Sequence, residues 1–80
     1  MATYDYYREA KSLAEDLKRA GLSDCEAAIV VSMEGGGTGT EIFMIMRARL
    51  AYILTTKDVP PKVLERVKAL HSKLNDALQS

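Results

Sequence analysis

The side chains that most readily do covalent or metal chemistry are scarce in this sequence, which holds one cysteine, Cys25, and one histidine, His71. A cysteine nucleophile needs a base beside it, and His71 falls on a different predicted helix. No H-x-x-E or E-x-x-H spacing accompanies the histidine, and no pair of groups has complementary acid–base roles. We therefore expect Cys25 to be packed as a small apolar residue, and we expect no enzyme activity, no metal and no cofactor.

A glycine-rich turn, GGGTGTE over residues 35–41, enters a helix and invites comparison with phosphate sites. Free N–H groups and the helix dipole attract anions at such a position. The turn lacks the lysine of the P-loop pattern, and Glu34 and Glu41 place negative charge on both sides. The sequence favours a tight helix–helix turn; the alternative is a small-molecule or anion site formed by Gly36, Gly37, Thr38, Gly39 and Thr40.

The helix that follows this turn is apolar on two sides. A T-x-x-E capping box at Thr38 predicts its start. At about 100° per residue, one apolar arc holds Ile42, Phe43, Met46, Leu50, Ile53 and Leu54, and a thinner face holds Met44, Ile45, Ala48, Ala51 and Tyr52. A helix that is apolar nearly all round is a central one, buried by its own chain or by a partner.

Two arginines, Arg47 and Arg49, interrupt this apolar helix near its middle. One interpretation is that both lay their stems on apolar surface while their charged heads reach water or a carboxylate. The other is that they anchor a protein interface, where arginine is enriched.

Three further helices are predicted around the apolar one. The first runs over residues 4–20 with Thr3 as its cap and the apolar stripe Tyr6, Ala10, Leu13, Leu17 and Ala20. Gly21 is the expected left-handed stop of a Schellman motif, with Leu22 packing back on Leu17. The fourth helix starts at Pro61, where proline fits a first turn, and carries the stripe Val63, Val67, Leu70, Leu74 and Ala77.

The second helix, over residues 24–34, is predicted from an S-x-x-E capping box that begins at Ser23. Its β-branched run Ile29–Val31 would suit a strand, but the chain offers no second strand to pair with it. The fold prediction is a single all-α domain over residues 1–80. It is a small antiparallel bundle of four helices, three long and one short, around the central apolar helix.

Composition limits the partners that we expect. Eleven basic and eleven acidic residues give zero net charge, which argues against nucleic-acid binding. A lone cysteine fits a reducing compartment, and the N-terminus shows no signal pattern. The apolar helix is too short and too charged to span a membrane, so we expect a cytoplasmic protein.

The functional prediction is a non-enzymatic interaction module that self-associates, as a homodimer, or binds another protein. The apolar helix is the expected surface if the other three helices leave its thinner face uncovered; the alternative is that they encircle it and use both faces inside one chain. The candidate interface residues are Met44, Arg47, Ala48, Arg49, Ala51 and Tyr52.

Overall fold

Four α-helices make up most of the chain in this computed structural model, which describes residues 4–35 and 37–79. They are α1 (Tyr6–Arg19), α2 (Ser23–Glu34), α3 (Gly39–Leu54) and α4 (Pro61–Gln79). No strand occurs in these two ranges, and α2 is helical through its β-branched run. The all-α, four-helix prediction is confirmed.

The four main helix–helix interfaces form a closed ring, and α1 meets α3 only through aromatic rings at one end. Contacts join α1 to α2, α2 to α3, α3 to α4, and α4 back to α1. Because the connections are short, consecutive helices run antiparallel. The apolar helix α3 is therefore one of four walls, and its own chain covers only the face that it turns to the core.

The core is built from the inward faces of all four helices. Its buried apolar residues are Ala10, Leu13, Ala14 and Leu17 of α1, Cys25 and Ile29 of α2, Met46, Leu50 and Ile53 of α3, and Val67, Leu70 and Leu74 of α4. The predicted stripes account for most of this set. Ala20, placed in the first stripe by its spacing, is instead the exposed C-cap residue of α1.

A complete Schellman motif ends α1, as predicted. Gly21 has a φ of 80°, the Leu22 amide donates to the Leu17 carbonyl at 2.9 Å, and the Gly21 amide donates to the Lys18 carbonyl at 3.1 Å. Leu22 is at the same time the N-cap residue of α2. The predicted Ser23 cap is therefore wrong: a link this short leaves Ser23 already inside the helix, and no side chain caps α2.

Gly21→Ala is expected to lower the free energy of unfolding by about 1 kcal/mol, because alanine is strained at positive φ. Gly39→Ala is the matched control. Gly39 is the first residue of α3, and an added Cβ there would meet only the Tyr7 hydroxyl, at 4.0 Å. We expect the control to be neutral or stabilising by up to about 1 kcal/mol. Urea unfolding measures both, and a stabilised Gly21→Ala protein would contradict the motif.

The other helix starts agree with the sequence in part. Thr38 caps α3, and its hydroxyl accepts from the Glu41 amide at 3.2 Å. Pro61 begins α4 as predicted. Helix α1 begins at Tyr6, two residues later than expected, because Asp5 is its N-cap and accepts from the Arg8 amide at 3.0 Å. The predicted cap, Thr3, lies outside the described residues.

Substitutions at Thr38 and Ser23 give a matched pair of expected results, because only Thr38 caps a helix. Thr38→Ala removes a cap that is present, so it should cost about 0.5–2 kcal/mol of stability. Ser23→Ala removes a hydroxyl that caps nothing, so it should stay within about 0.5 kcal/mol of the parent protein. Equal urea midpoints for the two variants would mean that Thr38 does not begin α3.

Candidate interaction surface on the third helix

The face of α3 that points away from the core carries two large apolar side chains on either side of small ones. Met44 is 52% exposed and Tyr52 is 60% exposed, while Ala48 and Ala51 between them are also exposed. At about 100° per residue these four residues share an arc of roughly 100°. We call this arc, Met44, Ala48, Ala51 and Tyr52, the outer face of α3.

The two arginines flank the outer face but differ in their surroundings. Arg47 is half-buried and its Nη1 donates to Oδ1 of Asn75 on α4 at 3.0 Å. Arg49 is exposed, and no described residue forms an ion pair or hydrogen bond with it. Arg47 therefore ties α3 to α4, whereas Arg49 keeps a free guanidinium group beside the outer face.

Three of the four large apolar side chains that are exposed belong to two adjacent helices. Of the four large apolar residues that are exposed, Met44 and Tyr52 lie on α3 and Val31, 55% exposed, lies on the adjacent helix α2. The fourth, Tyr7, is on α1. Helices α2 and α3 thus carry three of the four large apolar side chains that the described residues expose.

The glycine-rich turn is exposed but carries its own negative charge. Thr38, Gly39 and Thr40 are exposed, as is Gly37, while Gly36 lies outside the described residues. The Glu41 carboxylate accepts from the Thr38 hydroxyl at 3.4 Å and lies 3.6 Å from the position a Cβ on Gly37 would take. An anion at the start of α3 would meet this carboxylate first. Arg47, a cation that could have contributed to such a site, donates to Asn75 on α4 instead.

An aromatic cluster closes the end of the bundle at which α3 begins. The Phe43 ring lies 4.6 Å from that of Tyr6 and 6.0 Å from that of Tyr7, and Tyr4 packs edge-on against Tyr6 at 4.8 Å. The ammonium group of Lys73 lies 5.2 Å from the Tyr4 ring centre. Burial raises the pKa of the Tyr4 hydroxyl, and the carboxylate of Glu9 raises it further. These contacts join the start of α1 to α3 and α4.

The residues considered for catalysis are not assembled into a site. Cys25 is 3% exposed, as expected for a packed cysteine, and no hydrogen bond joins its thiol to His71 in the described part of the chain. Residues 4–35 and 37–79 contain no cluster of His, Cys, Asp and Glu side chains able to hold a metal ion. None of the four helices is long and apolar enough to cross a membrane.

A polar cluster between α1 and α4 was not anticipated from the sequence. Arg66 of α4 pairs with Asp16, donates to the Ser12 hydroxyl at 3.0 Å and approaches the Glu9 carboxylate at 3.4 Å. Residues 9, 12 and 16 share one face of α1, a polar stripe beside the apolar one, and that spacing was the available signal. The partners are partly exposed, so the cluster positions α4 on α1 more than it stabilises the fold.

A groove between α1 and α2 was also not anticipated. Its volume is about 380 Å³. Its lining combines apolar residues, Ala14, Val30 and Met33, with charged ones, Lys11, Glu15, Lys18, Glu26 and Glu34. Val30 and Met33 are half-buried, so apolar surface remains open to solvent there.

Comparison of the chain with protein-family models, with curated protein sequences and with solved structures finds no match.

Proposed function

We propose that this protein is a non-enzymatic interaction module that self-associates through the outer face of α3. The observation that carries the proposal is the exposure of Met44 and Tyr52 on either side of two exposed alanines. Buried apolar side chains contribute about 25 cal/mol per Å² removed from water, so covering this face is favourable. The small Ala48 and Ala51 side chains allow a second backbone to approach closely.

The zero net charge of the chain also favours self-association. Eleven basic and eleven acidic residues leave no net charge to hold copies of the chain apart. Arg49 adds a guanidinium group without a described partner at the edge of the face. Arginine and aromatic residues are the side chains most enriched in protein interfaces.

The test is the mass of the protein in solution. Light scattering after size exclusion, at tens of micromolar, should give a mass above the 8.8 kDa of one chain. Ala48→Glu places a carboxylate in the middle of the outer face and should return the mass to one chain, with helicity unchanged in circular dichroism.

Ala69→Glu is the matched control. Ala69 is an exposed alanine inside α4, so the same substitution there changes charge and helix propensity equally but leaves the outer face intact. The control should associate as the parent protein does. A single-chain mass for the parent protein at every concentration would contradict self-association.

A ligand site at the glycine-rich turn receives less support. The Glu41 carboxylate occupies the neighbourhood of Gly37, and Arg47 bonds to Asn75 on α4.

A further inference from the structure

The charges on α3 disfavour pairing of its outer face with the same face of a second copy. Arg47 and Arg49 flank Ala48, and α3 has no acidic residue between Ile42 and Leu54. Packing two copies of α3 around Ala48 would gather four guanidinium groups with no carboxylate among them. Arg47 bonds to the neutral Asn75, so its charge is not offset. Like charges that face each other across an interface oppose association.

The lining of the groove between α1 and α2 has more carboxylates than ammonium groups, and its acidic wall is α2. Helix α2 carries Asp24, Glu26 and Glu34 and no basic residue. Glu26 and Glu34 line the groove beside Val30 and Met33, and neither forms an ion pair with any described residue. A volume of about 380 Å³ is within the range of ligand pockets, so side chains such as Met44 and Tyr52 can enter it.

We infer that the outer face of α3 in one copy docks into the α1–α2 groove of another, with Arg49 facing the carboxylates of Glu26 and Glu34. The inference rests on the proposed self-association and specifies its partner surface. Met44 and Tyr52 fill the apolar part of the groove, beside Val30 and Met33. Lys11, Glu15 and Lys18 form the opposite wall, so the groove as a whole carries three carboxylates and two ammonium groups.

Such a contact does not close on itself. The groove is lined by residues of α1 and α2 alone, whereas the outer face belongs to α3, so the two docking surfaces share no residue and lie on different parts of one molecule. Each pair of copies leaves one outer face and one groove unoccupied. Head-to-tail contacts of this kind extend into rings or open chains instead of stopping at a two-fold dimer.

Two variants that each block one surface test the inference. Ala48→Glu blocks the outer face and leaves the groove. Glu26→Lys/Glu34→Lys reverses the charges on the α2 wall of the groove and leaves the outer face; Glu34 is exposed and Glu26 is partly exposed. Each variant alone should associate at least about tenfold more weakly than the parent protein. Mixed in equal amounts, they should form a one-to-one dimer, since each supplies the surface that the other lacks.

The charge control is Glu65→Lys/Asp76→Lys, which makes the same reversal at two exposed positions of α4. This control should associate as the parent protein does. The mass of the parent protein should rise past that of two chains as its concentration increases. If the parent protein stops at the mass of two chains and Glu26→Lys/Glu34→Lys associates equally well, docking into the groove is contradicted but self-association is not. A parent protein that stays at 8.8 kDa overturns both.

Discussion

Leu50→Ala is expected to lower the free energy of unfolding by about 2–5 kcal/mol. Leu50 is fully buried in the middle of the core-facing side of α3, between Met46 and Ile53. The loss combines the transfer of the removed carbons to water with the cavity left behind. At roughly 0.05–0.15 kcal/mol per residue, a chain of 80 residues has about 4–12 kcal/mol in total, so the variant should lose a large share of its stability.

Met44→Ala, on the opposite side of the same helix, is the control for Leu50→Ala. Its side chain is half exposed, so truncation should change the stability of the single chain by no more than about 0.5 kcal/mol. Urea unfolding should be followed at protein concentrations low enough that the midpoint no longer depends on concentration, because association adds apparent stability. Similar losses for the two variants would contradict the orientation of α3.

Ala10→Leu is expected to destabilise the protein by about 1–3 kcal/mol or more, through overpacking. Ala10 has no exposed surface and lies on α1, the helix that packs against both α2 and α4. Three added carbons would have to separate α1 from one of these helices. The same substitution at the exposed Ala69 of α4 should leave the urea midpoint nearly unchanged. If both variants had the urea midpoint of the parent protein, the packing of α1 around Ala10 would be looser than in the structure.

Local rules predicted the parts of the fold that depend on neighbouring residues. The left-handed Gly21, the Thr38 cap and the Pro61 start each follow from interactions within about five residues along the chain. The prediction that Ser23 caps α2 is wrong, and the cause also lies within a few residues along the chain. The Schellman motif takes Gly21 and Leu22, and Leu22 then has to serve both helices.

Contacts between helices are harder to predict from the sequence, because a helical wheel gives the faces of one helix but not the helices that pack against them. The spacing predicts the second apolar face of α3 except at Ile45, which is partly buried, and the ring arrangement explains why the chain itself leaves Met44 and Tyr52 uncovered. The Arg66 cluster and the α1–α2 groove each need two helices brought together. Neither can be derived from the spacing on one helix.

The ring of helix contacts also has a consequence for the time course of folding. Three of the four interfaces join helices that follow one another in sequence through short connections, so those contacts close small loops. Only the docking of α4 on α1, where Arg66 meets Asp16, spans most of the chain. Helical topologies dominated by such local contacts reach the native state within about microseconds to milliseconds. The search for the native arrangement is thus short, and the α1–α4 closure, between residues 50 positions apart, has the largest loop-closure cost of the four interfaces.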